Sequence, residues 1–378
     1  MRITDYELFE VAPRWQILQL ITSDGSVGWG EVYAKWHYAG ETPVTASGAA
    51  VDQLLHKYVL GEDPREIERR WEAMYRSSFY RGGAVHMSAI AGIDEALWDL
   101  KGKQYGAPIY ELLGGAARDR VRLYHHASAE AAQTALDDGF SAIKMSPDRM
   151  LERIASPDEV ERFAQRVAET REIVGDDVDI GIDFHGRVAP PMVKRVAAAL
   201  EPYSPMFIEE PVTPEYEGVF PDLAASTTIP IATGERLHTR FAFKRYFEAG
   251  GIDVAQPDVS HAGGITETKR IGDMASTHGV ALAPHCPIGP IAFAASVQVM
   301  AVAPSALIQE QTLYRDDGWK QYLTDAAPLE HSNGYVALPD GPGLGVDVDE
   351  AAVREAHGVD LEYQRPIYEY ADGGIGDG

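Results

Sequence analysis

The chain has 378 residues, 45% of them hydrophobic, with 58 acidic against 33 basic side chains and a net charge of −25. That length implies one large domain with a smaller companion, and the charge excludes the electrostatic attraction on which nucleic-acid binding depends. No run of 18 apolar residues marks a membrane span, and one cysteine, Cys286, excludes an internal disulfide and a cysteine-cluster metal site.

The start MRITDYELFEV lacks the basic-then-apolar profile of a secretion signal, so a cytoplasmic location with no membrane partner is expected. Nine lysines against 24 arginines in so acidic a chain point to a high-salt interior. At about 1 M salt the Debye length of about 3 Å would screen the self-repulsion.

Residues 3–33 read as strands: the alternating TDYELFEV, then WQILQLI, a turn at SDGS, then VGWGEV. Helical spacing follows in VTASGAAVDQLLHKYV, PREIERRWEAMY and AVHMSAIAGIDEALWDLKGKQYG. An α+β module is therefore expected over residues 1–115. Its aromatic residues Trp29, Tyr33, Trp36 and Tyr38 read as packing, and the loop after Gly30 as a lid over whatever the module covers.

Beyond Gly115, short apolar runs alternate with amphipathic helices, the texture of βα units. Strands are expected at 121–125, 140–145, 178–184, 205–210, 229–235, 252–257, 280–285 and 306–311. Eight parallel strands with helices between them close most simply into a barrel over residues 116–330. An open doubly wound sheet is the alternative, but no glycine-rich nucleotide turn follows the first strand. The nearest approach to an anion loop is SHAGGIT at residues 260–266, which reads equally as a tight βα turn. Residues 331–378 are expected to pack back on the N-terminal module.

Polar residues recur where these strands end. Asp183, Glu209, Glu235, Asp258, His285 and Glu310 are separated by 26, 26, 23, 27 and 25 residues, about one βα repeat each. At the C-terminal mouth of a barrel they converge on one site. Of the adjacent pair Glu209 and Glu210, side-chain alternation lets only one face the axis, and register selects Glu209. Two carboxylates about 4 Å apart repel by about 4 kcal/mol at an effective dielectric of 20. Asp183, Glu209 and Glu235 on neighbouring strands therefore call for a cation, and an all-oxygen set favours Mg²⁺, with Mn²⁺ as a substitute. The alternative is that some of the three are protonated or salt-bridged structural acids.

His185 lies two residues past Asp183, and His285 ends a strand half-way round the ring. The pair is placed to give and take a proton across the mouth. Asp258 is placed to orient His285 and raise its basicity. Lys144, inside the second barrel strand, is expected to pair with the acids or with the substrate. His125 and His126 follow the first barrel strand as weaker candidates, and His86, His238, His261 and His278 have no comparable set of partners.

With these residues in hand, the motifs IDFHGRV, MFIEEPV, ATGER, QPDVSHAGGITE, APHCPIGPIA and QEQ resemble the enolase superfamily, mandelate racemase subgroup, over nearly the whole chain. Within it they are most similar to the sugar-acid dehydratases, those acting on galactonate, gluconate or xylonate. The resemblance implies a modified TIM barrel of (β/α)7β type with an N-terminal α+β capping domain, and a homo-oligomer. It implies Mg²⁺ on Asp183, Glu209 and Glu235, and a sugar-acid substrate whose C2 proton goes to His285, oriented by Asp258. Glu310 would be the hydrogen-bond partner of the resulting enediolate. His185 would protonate the departing 3-hydroxyl, leaving a 2-keto-3-deoxy acid. One departure is Ser146 in KMS, where some members carry the second lysine of a KxK pair. That weakens an epimerase or racemase reading. A cycloisomerase and a non-catalytic sugar-acid binding protein also compete with the dehydratase.

Overall fold

The computed structural model of the chain describes residues 1–33, 45–147, 151–315, 317–359 and 367–376. Strands β1 (Ile3–Val11), β2 (Trp15–Thr22) and β3 (Val27–Val32) form an antiparallel sheet in that order. Helices α1 (Ala46–Tyr58), α2 (Ile67–Arg76) and α3 (Ala84–Tyr105) complete the N-terminal module. The greater part of the loop expected to form a lid, with Trp36 and Tyr38, lies outside the described residues.

Helix α3 has no solvent face between Met87 and Leu100: every residue there is buried, including Asp94, Glu95 and Asp99. A helix apolar or buried all round lies between two layers, here the β-sheet and the larger domain. Its approach to β3 depends on glycine. A methyl group at Gly30 would lie 2.0 Å from the Gly92 carbonyl oxygen, and one at Gly28 would lie 2.3 Å from that of Ala96.

After the short α4 (Ile109–Leu112), β4 (Arg120–Arg122) leaves the expected pattern. It pairs antiparallel with β13 (Tyr335–Ala337), which also pairs with β12 (His331–Ser332). The first barrel strand is instead β5 (His125–His126), so these two histidines lie on a strand rather than after one. Parallel strands β6 (Ala142–Met145), β7 (Asp179–Asp183), β8 (Phe207–Glu209), β9 (Ile231–Thr233), β10 (Val254–Ala255) and β11 (Ala281–Leu282) follow in order. Residues 306–311, expected as an eighth strand, form only isolated bridges, Leu282 with Ala306 and Leu123 with Gln309. Those bridges join the two edges of the seven-stranded sheet.

The intervening helices are α5 (Ala132–Asp137), α6 (Pro157–Val174), α7 (Val193–Leu200), α8 (Phe220–Ala224), α9 (Thr239–Ala249), α10 (Val259–Ala262), α11 (Gly264–Thr277) and α12 (Pro290–Val302). Helix α6 shows why the sequence stops and starts where it does: Ser156 and Glu159 close a capping box and Gly175 ends the helix. Helix α13 (Glu350–Ala356) lies against β1, where Arg354 meets Glu7 at 2.7 Å and the Gly358 amide donates to the Glu10 carbonyl. Among the described residues no helix is long and apolar enough to cross a membrane.

Inside the ring, Tyr124, Ala142, Phe207, Ala232, Val254, Ala283 and Ile308 form a cluster separate from the main core, one from each segment but β7. There the inward residue is Gly181, where a methyl group would strike the Phe207 ring at 2.7 Å. Side chains alternate along a strand, so the residue two positions on from each member faces the mouth. Those residues are His126, Lys144, Asp183, Glu209, Gly234, Gln256, His285 and Glu310.

The two domains meet through α2 and α3. The Trp71 and Trp98 indoles donate to the Gly263 carbonyl and the Thr266 hydroxyl, while Asp94 accepts from the Thr266 amide at 2.9 Å and its hydroxyl at 2.6 Å. SHAGGIT is thus a helix start whose acceptor is the chain's own Asp94 carboxyl. Gly264, with φ of +85°, leaves room for that carboxylate.

Burial, partly offset by the Thr266 bonds, raises Asp94 from 3.8 to about 7. A carboxyl that holds its proton more tightly when folded contributes stability that is full below pH 3.8 and lost as the pH rises through about 7. The stability gap between the native chain and Asp94→Asn is therefore expected to shrink over this range, by at most about 1.4 kcal/mol per pH unit. Urea unfolding at a series of pH values measures it, and a constant gap would mean that the carboxyl stays ionised in the folded chain.

Candidate active site

Strand register builds the floor of the site. Asp183 and Glu209 are direct partners across β7 and β8, and Lys144 on β6 pairs with Gly181. From there the Lys144 ammonium reaches 3.3 Å from Asp183, 3.0 Å from Glu209 and 3.0 Å from Glu310, over the Tyr124 ring at 5.2 Å. All four charged groups are buried. Although burial disfavours its charge, Glu209 and Glu310 hold the ammonium well above the usual lysine range. Burial, with the Asp183 charge, pushes Glu209 well up, whereas Lys144 draws Asp183 and Glu310 down against their own burial.

The remaining groups come from turns beyond the strands. Strand β7 ends at Asp183, and His185 has φ of 51°, so alternation does not aim it. Its orientation comes from a turn in which the His185 amide donates to Asp183 Oδ1 at 3.1 Å and the Gly186 amide to the Glu210 carbonyl at 2.7 Å. The imidazole Nε2 lies 3.1 Å from Asp183 Oδ2, and Nδ1 is buried without a hydrogen bond among the described residues. Gly186 has φ of 76°, and a methyl group there would meet the Arg236 guanidinium at 2.7 Å.

Glu235 and Asp258 also lie past their strands, so two of the six residues in the sequence repeat are not at the register position; Gly234 and Gln256 are. Asp258 is the N-cap of α10, accepting from the Ser260 amide at 2.8 Å, and its other oxygen lies 2.6 Å from His285 Nδ1. Glu235 Oε2 lies 3.1 Å from His285 Nε2 but is a buried oxygen with no hydrogen bond among the described residues. Burial opposes a charge on His285, yet Glu235, Glu310 and the bond to Asp258 outweigh it and carry the imidazole up to about 10. Glu210 turns away from the mouth to Arg236 Nε at 2.7 Å.

The structure therefore gathers Asp183, Glu209 and Glu310 on Lys144, and sets Glu235 against His285. Among the described residues no three carboxylate, imidazole or thiolate groups stand at metal-binding spacing in this arrangement. The chemistry of the donors still suits a hard divalent cation. Asp183, Glu209 and Glu235 offer oxygens only, burial and the Asp183 charge hold Glu209 back from ionising, and one Glu235 oxygen has no hydrogen bond among the described residues.

Three residues gain their place only from the structure. His126 is a weak candidate by sequence, yet its Nε2 lies 2.5 Å from Glu310 Oε1. Tyr124 underlies Lys144, and Gln256 is fully buried with neither amide atom hydrogen-bonded among the described residues. The signal for each is its place two residues beyond, or within, the inner ring, which needs the strand register to be read.

Comparison with known proteins agrees over the full length. The mandelate racemase / muconate lactonizing enzyme N-terminal domain matches residues 12–114, and the enolase C-terminal domain-like family matches residues 127–352. D-galactonate dehydratases of Ralstonia nicotianae and Xanthomonas campestris pv. campestris are 44% and 43% identical over 388 aligned positions, covering all of both chains. An enolase of Agrobacterium radiobacter, provisionally named galactarate dehydratase and crystallised with sodium and L-malate, superposes with a TM-score of 0.90. It is 32% identical, again over all of both chains.

Replacing Lys144 removes the one ammonium from a cluster of buried acids. Lys144→Met is expected to destabilise the chain in chelator by about 3–5 kcal/mol, the cost of stranding buried charge. Denaturant unfolding measures this, and an unchanged midpoint would show that protons, not Lys144, neutralise the acids.

Proposed function

Because the chain belongs to the mandelate racemase / muconate lactonizing enzyme family of enolase-like proteins, we propose that it is a hydro-lyase that dehydrates an aldonate to the 2-keto-3-deoxy acid. The observation that carries the reading is the placement of one imidazole on each flank of the carboxylate cluster: His185 at Asp183 and His285 at Glu235. The relatives named for D-galactonate dehydration support the substrate class.

Asp183, Glu209 and Glu235 would hold Mg²⁺, with Mn²⁺ as a substitute. When bound, the ion supplies the fixed positive charge that an enediolate dianion needs. His285 takes the C2 proton. Asp258 fixes its tautomer through Nδ1, leaving Nε2 toward the mouth, and the ring becomes a base once the charge of Glu235 is countered. Glu310, in its protonated form, would donate a hydrogen bond to the developing enediolate, and Lys144 would add positive charge beside it. His185 gives a proton to the 3-hydroxyl as the C3–O bond breaks. The C2–H and C3–OH bonds are lost as one water, and the enol tautomerises to the ketoacid.

D-galactonate, D-gluconate and D-xylonate share the C2 and C3 configuration that the two histidines read, and D-galactonate is the first choice among them. A panel of aldonates assayed for ketoacid formation with Mg²⁺ and with chelator tests the reading. Turnover with none of them would overturn it.

His285→Asn is expected to abolish both turnover and C2 proton exchange in deuterated water. His185→Asn is expected to lose dehydration by about 10² to 10⁴ while retaining exchange. Normal turnover in both variants would refute the acid and base roles, and exchange with inversion at C2 in the native chain would favour an epimerase. Calorimetric titration with Mg²⁺ separates the adjacent glutamates: Glu209→Gln should weaken binding and Glu210→Gln should leave it nearly intact. The reverse result would overturn the ligand set.

A further inference from the structure

His285 sits in a closed circuit of hydrogen bonds that runs through the N-terminal domain. On one side Asp258 joins its Nδ1 at 2.6 Å and accepts from the Ser260 amide at 2.8 Å. The Ser260 hydroxyl donates to Glu95 Oε1 at 3.4 Å, and Glu95 Oε2 accepts from the Glu31 amide at 2.8 Å. The Glu31 carboxylate then accepts from the amides of Gly289 at 2.8 Å and Ala292 at 3.0 Å, at the start of α12. Four residues of chain lead from Gly289 back to His285.

Glu31, Glu95, Asp258 and Ser260 are all fully buried. Burial raises Glu31 to about 7 and, with the nearby charges of Glu31, Asp94 and Asp258, Glu95 well above its ordinary value. Among the described residues neither glutamate pairs with a cation. Buried carboxyls without a cation are costly, and apolar side chains would dock α3 and β3 on the barrel without that cost. These two acids instead meet the backbone and hydroxyl groups that flank the base on both sides. A methyl group at Gly289 would come within 2.4 Å of Glu31 Oε1, so the contact is also close.

We propose that Glu31 and Glu95 are positioning residues for His285. They fix the segment 285–289 against the turn 258–260, and so set the direction and length of the Asp258–His285 hydrogen bond. The N-terminal domain thereby aligns the base as well as covering the barrel. The proposal rests on the reading of His285 as the base.

The chemistry of the circuit predicts an asymmetry between the two positions. Both oxygens of Glu31 accept from amide N–H groups, so Glu31→Gln sets an NH₂ against a donor and breaks one bond. Glu95→Gln keeps an acceptor for the Glu31 amide and turns its NH₂ to the Ser260 oxygen, whereas Glu95→Leu loses both. With aldonate and Mg²⁺, Glu31→Gln and Glu95→Leu are expected to lower kcat and C2 exchange about 10- to 100-fold with KM within about twofold, and Glu95→Gln to stay within about threefold of the native chain.

A second readout needs no substrate: the downfield proton resonance of the His285 Nδ1–H bonded to Asp258, assigned by its loss in Asp258→Asn. It should move or broaden in Glu31→Gln and Glu95→Leu and remain in Glu95→Gln. Asp94→Asn, an equally buried acid at the same domain contact but outside the circuit, should leave both readouts unchanged. Native resonance and exchange in Glu31→Gln and Glu95→Leu, or equal losses in Asp94→Asn, would overturn the proposal. If the native chain turned over no aldonate, the functional reading would fall while the resonance still decided the positioning role. Should Glu31→Gln fail to fold, Ser260→Ala, which deletes one hydroxyl, carries the resonance test, and an unmoved line there counts against the proposal.

Discussion

The repulsion among acids held together at the barrel mouth is the constraint on which the rest of the site depends. Asp183 and Glu209 are fixed side by side by the pairing of β7 with β8, so they cannot separate without breaking the sheet. Backbone hydrogen bonds of the barrel thus enforce a concentration of negative charge that side chains alone would relax. Lys144 is the chain's own answer, reaching three carboxylates from the neighbouring strand. One ammonium does not satisfy them all. Glu209 is pushed toward its neutral form, and His285 is pulled toward its charged form by Glu235 and Glu310. The first shift comes chiefly from burial and the second from the neighbouring carboxylates; a divalent cation would offset the charge of those carboxylates.

The layer below the mouth explains why this arrangement can exist. Small residues, Ala142, Gly181, Ala232 and Ala283, share the inner ring with Tyr124, Phe207 and Ile308. Phe207 fills the space that Gly181 leaves open. Such alternation of large and small side chains packs a narrow barrel without voids. The polar layer then rests on a dry floor that keeps water from screening the charges above it, which strengthens every electrostatic contact there.

Much of this is legible in the sequence, for identifiable reasons. The near-regular spacing of Asp183, Glu209, His285 and Glu310 reflects one inward position per βα repeat, and that periodicity survives translation into structure. Glu235 and Asp258 share the spacing only approximately. They belong to turns, and their place is set by the backbone of Gly234, with φ of +149°, and by the N-cap geometry of α10. His185 reaches the expected place by a different route, since a left-handed turn rather than strand alternation directs it. The seven-stranded count differs from the expected eight because residues 306–311 bridge the two edges without continuous ladders. The roles of Glu31 and Glu95 cannot be read from sequence at all. A glutamate in an amphipathic strand or helix looks solvated, and their partners in the barrel domain lie 165 to 261 residues away.

The placement of acids also changes the meaning of the net charge. Among the described residues, eleven acids are buried against three bases, Arg70, Lys144 and Arg187. An interior excess of eight acids therefore contributes to the −25 that, read from composition, belongs to the surface. Surface carboxylates are held apart by solvent and screened by salt. Interior ones need a partner within hydrogen-bond reach; some meet a cation, as Glu210 meets Arg236, and three meet helix N-termini: Asp94 on α11, Glu31 on α12 and Asp258 on α10. Each of the three sits where the helix dipole and free N–H groups favour a negative charge. Two of them come from the N-terminal domain and bind barrel helices that begin at the mouth. Domain contact and site architecture thus draw on one interaction, a buried carboxylate on a helix start, and the same hydrogen bonds link the N-terminal domain to the segment that carries His285.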